Sequence, residues 1–480
     1  MIPFILITFA EFKYLFKIKN KVFFLKLIFG NFFIFILTYI SIKYYYSIDI
    51  LRILKKHIDI QYFSLFLILI FIFKLIKNFF IFRNNNNRDN NRDNNIFEGK
   101  DGICIIIPTH SPNILIEATI EELLTVFNKN QIYIIENGES ILEYNLNQNI
   151  KKYNINYEFI SNKSKMYAIN HCLNQIKDNY DYCLITDDDT TINKNFYIDL
   201  DIFNNYSGIG FSVKTINNNL IQKLISLEYL SHFFYKSLSN NVEYLNGCCS
   251  LWKIKDIYNI FKRSPSNDLL KSGEDSINGI LINYCDLKMK QNFDNFFITN
   301  VPDSLFYGEL KSRGFNSSSF YYQRNFRWYR NGFFKMIIKL FLLKNNKNFF
   351  YYLNKGFSFI IIFLILILYS QLIILINLFH NYIFIFFILV FIFIIINNFF
   401  LYIKFKNTDN SFDLFLIFLF PFYVFFICFL KYLAVIACIT YYFPLFFHFS
   451  IIKRFNDIRY ENNKEKEIID EIPCVIELAL

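Results

Sequence analysis

The chain has 480 residues, of which 54% are hydrophobic and 21% aromatic, with a mean hydropathy of +0.27 and a net charge of +10. This composition is rare in a soluble domain and indicates bilayer-spanning segments. Phe, Ile, Tyr, Asn and Lys are also frequent in loops, so only long charge-free runs count as spans. The basic balance does not indicate a nucleic-acid partner, because many cations flank apolar runs and the sequence has no recognition-helix motif or zinc-finger spacing.

Nine cysteines are scattered along the chain, and the only close pair is Cys248-Cys249. An odd number of cysteines without a regular framework predicts reduced thiols rather than a disulfide scaffold. The start of the chain, MIPFILITFAEFK, lacks a small-residue cleavage site, so we do not expect it to be a signal peptide.

Residues 1–82 are predicted to form an N-terminal membrane region. Leu27–Tyr46 is one candidate span, and Ile60–Phe80 is a second that lysines interrupt near its end. A buried or interfacial helix is the alternative for the second segment. Residues 83–100 are predicted to be a disordered linker, because the stretch NNNNRDNNRDNN has no apolar residue and cannot join a core.

Residues 101–332 alternate short apolar runs with polar stretches, which predicts an α/β domain with a mainly parallel sheet. The strand-like runs are ICIIIP, IYIIEN, YEFIS and YCLITDDD, and IEATIEELLTVF is a helix-like stretch between them. Ligands of such sheets bind at the carboxyl ends of the strands, so the acidic residues that follow these runs are expected at a ligand site.

The last third of the chain is predicted to return to the membrane. Residues 333–355 alternate cations and apolar residues at helical spacing and predict an amphipathic interfacial helix. Residues 356–452 form the C-terminal membrane region, and 453–480 a cytosolic tail. Most cationic loops then fall on the side of the α/β domain, so we expect a multi-pass membrane protein with that domain in the cytosol. The four candidate spans are Gly356–Phe379, Asn381–Ile403, Leu414–Leu430 and Tyr432–Ile452.

The strongest local signal is the acidic cluster Asp187, Asp188 and Asp189, directly after the strand-like YCLI. Carboxylates crowded at a strand end repel one another and usually need a cation. For nucleotide substrates, Mg²⁺ or Mn²⁺ held by one or two carboxylates and the substrate phosphates is the common arrangement. A solvated acidic turn is the alternative.

Two further stretches carry residues suited to chemistry. Glu274 and Asp275 precede SINGILI, which looks like a helix, and acids at a helix start are also ordinary capping residues. In the stretch QRNFRW, arginines can pair with phosphates and Trp328 can stack on a sugar, whereas a basic juxtamembrane stretch is the alternative.

The order of the motifs resembles one family. The motifs follow one another as in the processive family 2 glycosyltransferases of the GT-A fold. In chain order they are IIIPTH, a strand ending in ENG, SKMYAIN, DDD, NGCCSLW, GED, QRNFRW and membrane helices. The family includes the hyaluronan, chitin and cellulose synthases. The resemblance covers Ile103–Gly332 by motif, and two spans before and four after look most like hyaluronan synthases.

The resemblance implies a site for a nucleotide-sugar donor. Glu136 stands where the family has an aspartate that reads the nucleotide base, a role that Asn137 can share. Lys165 and Asn170 match the K and the N of the family's K-A-G-x-x-N stretch, near the diphosphate.

The resemblance also implies a metal, a base and a sugar-stacking residue. Asp187 and Asp189 match the D-x-D that binds Mg²⁺ or Mn²⁺ and the nucleotide. Asp275 matches the acid that acts as general base, and Arg327 and Trp328 match the R-W of the Q-x-x-R-W motif.

The spacing of one motif departs from the family, and two small residues stand where the family has its acceptor pocket. Gln323 is one residue too far from Arg327, so either Arg324 takes the glutamine position near the phosphates, as in ceramide glucosyltransferases, or a bulge restores the spacing. Gly247 and Cys248 stand where the family has small residues that line the acceptor pocket.

Taken with the resemblance, the residues predict a membrane-bound inverting glycosyltransferase. It would move a sugar from a nucleotide-diphosphate donor, with UDP as the expected nucleotide, to a growing polysaccharide, in contact with membrane lipids. A non-processive transferase with a lipid acceptor is one alternative, which Arg324 in the glutamine position favours. A transporter or scaffold with a degenerate transferase domain is the other, but Gly356–Ile403 has no charged residue to serve transport.

Overall fold

A computed structural model describes residues 100–109, 116–138, 150–162, 164–192, 196–215, 219–264, 274–302, 304–305, 320, 323–324, 388, 390–406, 408 and 411–441. The predicted spans Leu27–Tyr46, Ile60–Phe80 and Gly356–Phe379 lie outside these ranges, as do the Asn-rich stretch, the interfacial helix and the tail. The division into membrane and cytosolic regions therefore stays a prediction.

The strands confirm an α/β domain. The runs ICIIIP, IYIIEN, YEFIS and YCLIT form the first four strands, as predicted. The bounds are β1 Ile103–Thr109, β2 Ile132–Asn137, β3 Asn156–Ile160, β4 Tyr182–Thr186, β5 Thr190–Ile192, β6 Gly208–Thr215, β7 Cys249–Lys253 and β8 Met289–Thr299.

These eight strands form one sheet in the order β3-β2-β1-β4-β7-β6-β8-β5. The pairs β1–β2, β2–β3, β1–β4 and β6–β8 are parallel, whereas β4–β7, β6–β7 and β5–β8 are antiparallel. The sheet is thus mixed, and the predicted parallel character holds for β1 to β4. Short apolar runs show that strands exist, but they do not show in which direction neighbouring strands run.

Seven helices accompany the described part of the sheet, together with short 3-10 turns at Lys100–Gly102, Lys129–Gln131, Lys151–Tyr153 and Leu200–Asn204. Side-chain caps begin two of the helices, because Ser164 accepts from the backbone N–H of Tyr167 at 3.3 Å and Asn219 from that of Gln222 at 3.0 Å. The bounds are α1 Ile116–Leu124, α2 Lys165–Ile176, α3 Leu220–Ser237, α4 Ile254–Arg263, α5 Glu274–Tyr284, α6 residues 390–405 and α7 Leu414–Tyr441.

The core lies on both faces of the sheet. Alternate residues of β1 enter different clusters. Cys104 and Ile106 pack with α2, α4 and α5, whereas Ile103, Ile105 and Ile107 pack with α1. This burial on both faces explains why β1 is a continuous apolar run rather than an alternating one. Trp252 of β7 packs so closely on β6 that a Cβ at Gly208 would lie 2.4 Å from its ring, so only glycine fits there.

A third apolar cluster joins α3 to α6 and α7. At its centre the guanidinium of Arg324 donates to both carboxylate oxygens of Glu228 on α3, at 3.2 and 2.7 Å. The hydroxyl of Tyr423 on α7 donates to the same carboxylate at 2.5 Å, and the guanidinium lies 5.1 Å from the ring centre of Phe320. Arg324 is 3% exposed and the side chain of Glu228 is 25% exposed, so the guanidinium is buried, and the ion pair holds three separate segments together.

The predicted span Leu414–Leu430 falls within α7, and Asn381–Ile403 overlaps α6. Because α7 continues without a break through Lys431 to Tyr441, the predicted division between Leu414–Leu430 and Tyr432–Ile452 at Lys431 is wrong. None of the helices within the described ranges combines the length and the apolar character of a membrane-spanning segment.

Glu228→Gln should lower the free energy of unfolding by about 3 kcal/mol, because it leaves the buried guanidinium of Arg324 without its counter-charge. Thermal and denaturant unfolding of the full chain would measure this. Lys152→Met is the matched control: it breaks the exposed pair between Lys152 and Glu117, at 2.7 Å, and should leave the transition nearly unchanged. Equal losses in the two variants would contradict the role given to Arg324.

Candidate active site

The strand order places a candidate site between β1 and β4. From β1 the chain passes to β2 and β3 on one side, and after α2 it returns to β4 on the other side of β1. In such sheets ligands bind beside the carboxyl ends of the strands at the point where the order reverses. Thr109 ends β1 and Asp187 follows β4, so the acidic cluster lies at this point.

Asp188, the middle residue of the cluster, is held against β1 and α1. Its carboxylate accepts a hydrogen bond from the Thr109 hydroxyl at 2.6 Å, and its backbone carbonyl accepts one from the Thr119 hydroxyl at 3.1 Å. Burial raises the pKa of Asp188 to about 6, the Thr109 hydrogen bond acts against this, and the charge of Asp187 adds to it. The neighbours Asp187 and Asp189 have different partners.

Asp187 and Asp189 are anchored by different strands. The backbone N–H of Asp187 donates to the carbonyl of Cys248 at 3.1 Å, which ties the cluster to the start of β7. The carboxylate of Asp189 makes a long contact of 3.4 Å with the hydroxyl of Thr299, the last residue of β8. Together with the hydrogen bond from Thr109 of β1 to Asp188, these contacts fix the cluster to strands on both sides of β4, so it is not a solvated surface turn.

Lys165 connects the acidic cluster after β4 with the acids at the start of α5. It is the first residue of α2, and its ammonium group contacts the carboxylate of Asp187, the carbonyl of Gly247 at 3.1 Å and the carboxylate of Glu274 at 3.6 Å. Burial alone would lower the pKa of Lys165, but Asp187 and then Glu274 raise it further than burial lowers it, so the group stays charged.

Glu274 and Asp275 occupy the first turn of α5, where the positive end of the helix dipole stabilises carboxylates. Glu274 is the residue that reaches Lys165, whereas Asp275 lies against Gly247: a Cβ added to Gly247 would be 3.4 Å from the Cβ of Asp275. Both acids line one small cavity together with Lys165, Gly247 and Trp252. They differ in their contacts, because Glu274 reaches the ammonium of Lys165 and Asp275 lies against Gly247.

Glu136 and Asn137 lie at the same edge of the sheet, one strand beyond β1. Glu136 pairs in register with Thr109 and is buried, and its carboxylate accepts from the Tyr157 hydroxyl at 2.5 Å. Burial, followed by the hydrogen bond to Glu136, raises the pKa of Tyr157 well above its ordinary range. Both residues are therefore placed at the carboxyl edge where the sequence predicts them.

Other predicted site residues are placed elsewhere. The amide of Asn170 donates to the carbonyl of Phe261 at 2.9 Å and thereby joins α2 to α4. Arg324 pairs with Glu228, not with a residue of the acidic cluster. Arg327 and Trp328 lie outside the described residues.

Cys248 lies beside Gly247 at the start of β7, with its sulfur 4.0 Å from that of Cys249. This contact, and then burial, raise the pKa of the Cys248 thiol well above its ordinary value. A thiol in this state is a poor nucleophile, so its contribution to the pocket is its small volume.

Sequence reasoning named Asp188 and Glu274 but not their contacts, which are with Thr109 and Lys165 respectively. Thr109 ends the predicted run that pairs with β4, so its hydroxyl was a candidate partner. The pairing of Glu274 with Lys165 joins residues far apart in the sequence and had no local signal.

The donor atoms suit a hard divalent cation. Among the described residues, no group of three or more His, Cys, Asp and Glu side chains is arranged to hold a metal ion. Mg²⁺ in nucleotide sites usually takes only one or two carboxylates and completes its shell with phosphates and water. Burial is the main cause of the raised pKa of Asp188, and the charge of Asp187 adds to it, so the carboxylates of the cluster lie close enough to repel one another. Asp187 and Asp189 therefore fit Mg²⁺ or Mn²⁺ in the presence of a phosphate-bearing substrate.

No family model matches the chain, and no curated protein matches it. Solved structures do match at low similarity. S. aureus TarS 1-349 in complex with UDP is 18% identical, with 42% of this chain and 60% of that chain covered and a TM-score of 0.30. The mannosyltransferase PcManGT from Pyrobaculum calidifontis, in complex with GDP-Man and Mn²⁺, is 11% identical, with 50% and 68% covered and a TM-score of 0.33.

A third structure, GalNAc-T7 with UDP, GalNAc and Mn²⁺, is 10% identical, with 41% of this chain and 43% of that chain covered and a TM-score of 0.32. The chain spans between 36% and 60% of the length of the TarS chains it matches. TM-scores at this level carry no argument, so the fold and the site rest on the strand order and the contacts described above.

Asp188→Asn should remove a pH-dependent loss of stability. Because the folded chain raises the pKa of Asp188 from 3.8 to about 6, it binds this proton more tightly than the unfolded chain, and stability falls as the pH rises through that window. Asparagine still accepts from Thr109 but carries no charge. The variant should therefore be more stable than the wild type by about 3 kcal/mol above the window and by less below it.

Unfolding measured at about pH 4.5 and about pH 7.5, without divalent cations, would test this difference. Asp181→Asn, at an exposed position before β4, is the matched control for the loss of one acidic side chain. If the free energy of unfolding of Asp188→Asn equals that of the wild type at both pH values, the pKa of Asp188 is not raised in the folded chain.

Proposed function

We propose that the chain is an inverting glycosyltransferase that takes a sugar from a nucleotide-diphosphate donor, with UDP as the expected nucleotide. The observation that supports this is that Lys165 lies between the acidic cluster after β4 and the two acids that begin α5. Its ammonium contacts Asp187 of the cluster at the switch point, and it contacts the carbonyl of Gly247, which lies against Asp275. One side suits a diphosphate with a cation, and the other suits the activation of a hydroxyl.

The donor would lie along the carboxyl edge from β2 to β4. Glu136 and Asn137, at the end of β2, would contact the nucleotide base, and Asp187 and Asp189 would hold Mg²⁺ or Mn²⁺ near the diphosphate. A divalent cation there would neutralise charge that develops on the diphosphate leaving group. Lys165 adds a positive charge at the same place, and its ion pair with Asp187 keeps it ordered before the donor binds.

Asp275 would act as the general base. It takes the proton from the acceptor hydroxyl while that oxygen forms a bond to the anomeric carbon and the bond from this carbon to the diphosphate oxygen breaks. A single displacement of this kind inverts the anomeric configuration. Glu274 is less suited to the role, because Lys165 lies 3.6 Å from its carboxylate and a nearby positive charge makes a carboxylate a weaker base.

A growing polysaccharide is the acceptor we favour, from the resemblance to polymer-forming synthases. The alternative with a lipid acceptor depended on Arg324 near the phosphates, and the ion pair of Arg324 with Glu228 gives that arrangement no support. A transporter or scaffold with a degenerate domain is disfavoured by the ordered acidic cluster, because a chain without the reaction has no need to crowd carboxylates around one lysine.

Membranes that contain the full chain should transfer label from one radiolabelled nucleotide sugar into a large polymer when Mg²⁺ or Mn²⁺ is present. EDTA should abolish transfer until the cation is added back, whereas Asp187→Asn should abolish it even when the cation is present. In both cases the diphosphate loses the cation that would neutralise its charge. Asp178→Asn, at an exposed position after α2, is the matched control and should retain activity. Label in a lipid fraction would favour the lipid acceptor, and full transfer in EDTA would exclude the metal.

Asp275→Asn should lower the rate of transfer by about 10²–10⁴-fold while nucleotide-diphosphate binding survives, because it removes the base but not the groups near the diphosphate. Glu274→Gln should instead weaken nucleotide binding and slow transfer less, because its carboxylate orients Lys165. Binding and transfer would be measured in parallel for the two variants. Near wild-type transfer by Asp275→Asn, or loss of binding and transfer together, would overturn the assignment of the base.

A further inference from the structure

A second cavity, of about 210 Å³, lies away from Lys165 and the acidic cluster. It is bounded by β6, α3, β8 and the segment that leads into α7. None of the residues given a role in transfer lines it. Its polar wall consists of Lys214, Lys223, Ser226, Ser411 and Asp413.

The charge of the cavity favours an anion. Lys214 holds its ammonium 4.4 Å from the ring centre of Phe296, and Lys223 pairs with Asp413 at 3.0 Å. The side chains of Lys223 and Asp413 are 41% and 66% exposed, and exposed pairs of this kind contribute little to stability. An entering anion can therefore replace Asp413 as the partner of Lys223 at small cost, and two serine hydroxyls are available as donors.

The size and the surroundings of the cavity favour a head group with an apolar chain attached. Sites that bury a whole small molecule are usually larger, at roughly 300–1,000 Å³. The cavity has an apolar wall that includes Leu227, Leu230 and Leu416. On α7, whose Leu416 lines the cavity, Phe415, Phe418 and Phe422 follow one another at helical spacing and are 65%, 53% and 63% exposed.

We propose that this cavity binds the phosphate of an anionic phospholipid, with the acyl chains along the phenylalanine stripe of α7. The phosphate would contact Lys214 and Lys223 and accept from Ser226 and Ser411. Free inorganic phosphate satisfies the lysines but leaves the stripe uncovered, and a zwitterionic lipid brings a cation against two lysines. The site is independent of sugar transfer and does not depend on the proposed reaction.

Binding of dioctanoyl phosphatidylglycerol to the full chain in a neutral detergent would test the proposal, with dioctanoyl phosphatidylcholine as the zwitterionic comparison. The anionic lipid should bind at least tenfold more tightly. Lys223→Met and Lys214→Met should each weaken it by about fivefold, the effect of one lysine beside an anionic lipid. Asp413→Asn should strengthen it, because the competing carboxylate is gone.

Lys255→Met, which removes an exposed lysine on α4, is the matched control and should bind both lipids as the wild type does. The opposite signs expected for Asp413→Asn and Lys223→Met separate a specific effect from poor folding. Equal binding of the two lipids, no change in either lysine variant, or weaker binding by Asp413→Asn would each overturn the proposal. Inorganic phosphate that competes as strongly as phosphatidylglycerol would overturn the lipid as the occupant.

Discussion

The ammonium group of Lys165 is the positive charge around which the described site is arranged. It contacts Asp187, Glu274 and the carbonyl of Gly247, so groups from β4, α5 and the approach to β7 meet at one atom. Without this charge the carboxylates would repel one another and the acidic cluster could not lie so close to the first turn of α5. The position of Lys165 is in turn set by Ser164, which caps α2 and fixes where the helix begins.

This arrangement makes Lys165 both a partner and a competitor for a cation. If Asp187 holds a cation as proposed, that carboxylate would be shared with an ammonium already in contact with it. A diphosphate would bring negative charge for Lys165 and the cation alike. The proposed site would therefore favour a cation that binds together with the donor.

Much of the fold and part of the site could be predicted from the sequence. Parallel strands buried on both faces appear as continuous apolar runs, which is why β1 to β4 were found, and carboxyl ends of such strands bear ligand-binding residues, which is why Asp187 and Glu136 were expected together. The direction of β7 and the pairing of β6 with β8 were not predictable, because they depend on contacts between residues far apart in the chain.

Arg324 shows why a motif alone could not assign every residue. An arginine near Trp328 suits a phosphate by charge, but the sequence gives no sign that Glu228 and Tyr423 lie within reach, since they are distant along the chain. A carboxylate that accepts two hydrogen bonds satisfies a guanidinium as well as a phosphate does. In a buried setting the guanidinium pairs with whichever acceptor lies nearer. Asn170 is similar, because its amide meets the carbonyl of Phe261 in the packing of two helices.

The last strand of the domain, β8, connects the two sites. Its final residue, Thr299, contacts Asp189 of the acidic cluster, and Phe296 three positions earlier lies beneath Lys214 in the second cavity. β6 pairs with β8 over the same residues, with Lys214 opposite Ile298 and Thr215 opposite Thr299. A ligand that drew Lys214 away from Phe296 would therefore act on the strand whose last residue contacts Asp189, whereas Lys165 and Asp275 belong to α2 and α5. Any influence of the second cavity on the first site would reach the predicted metal ligand before it reached the proposed base.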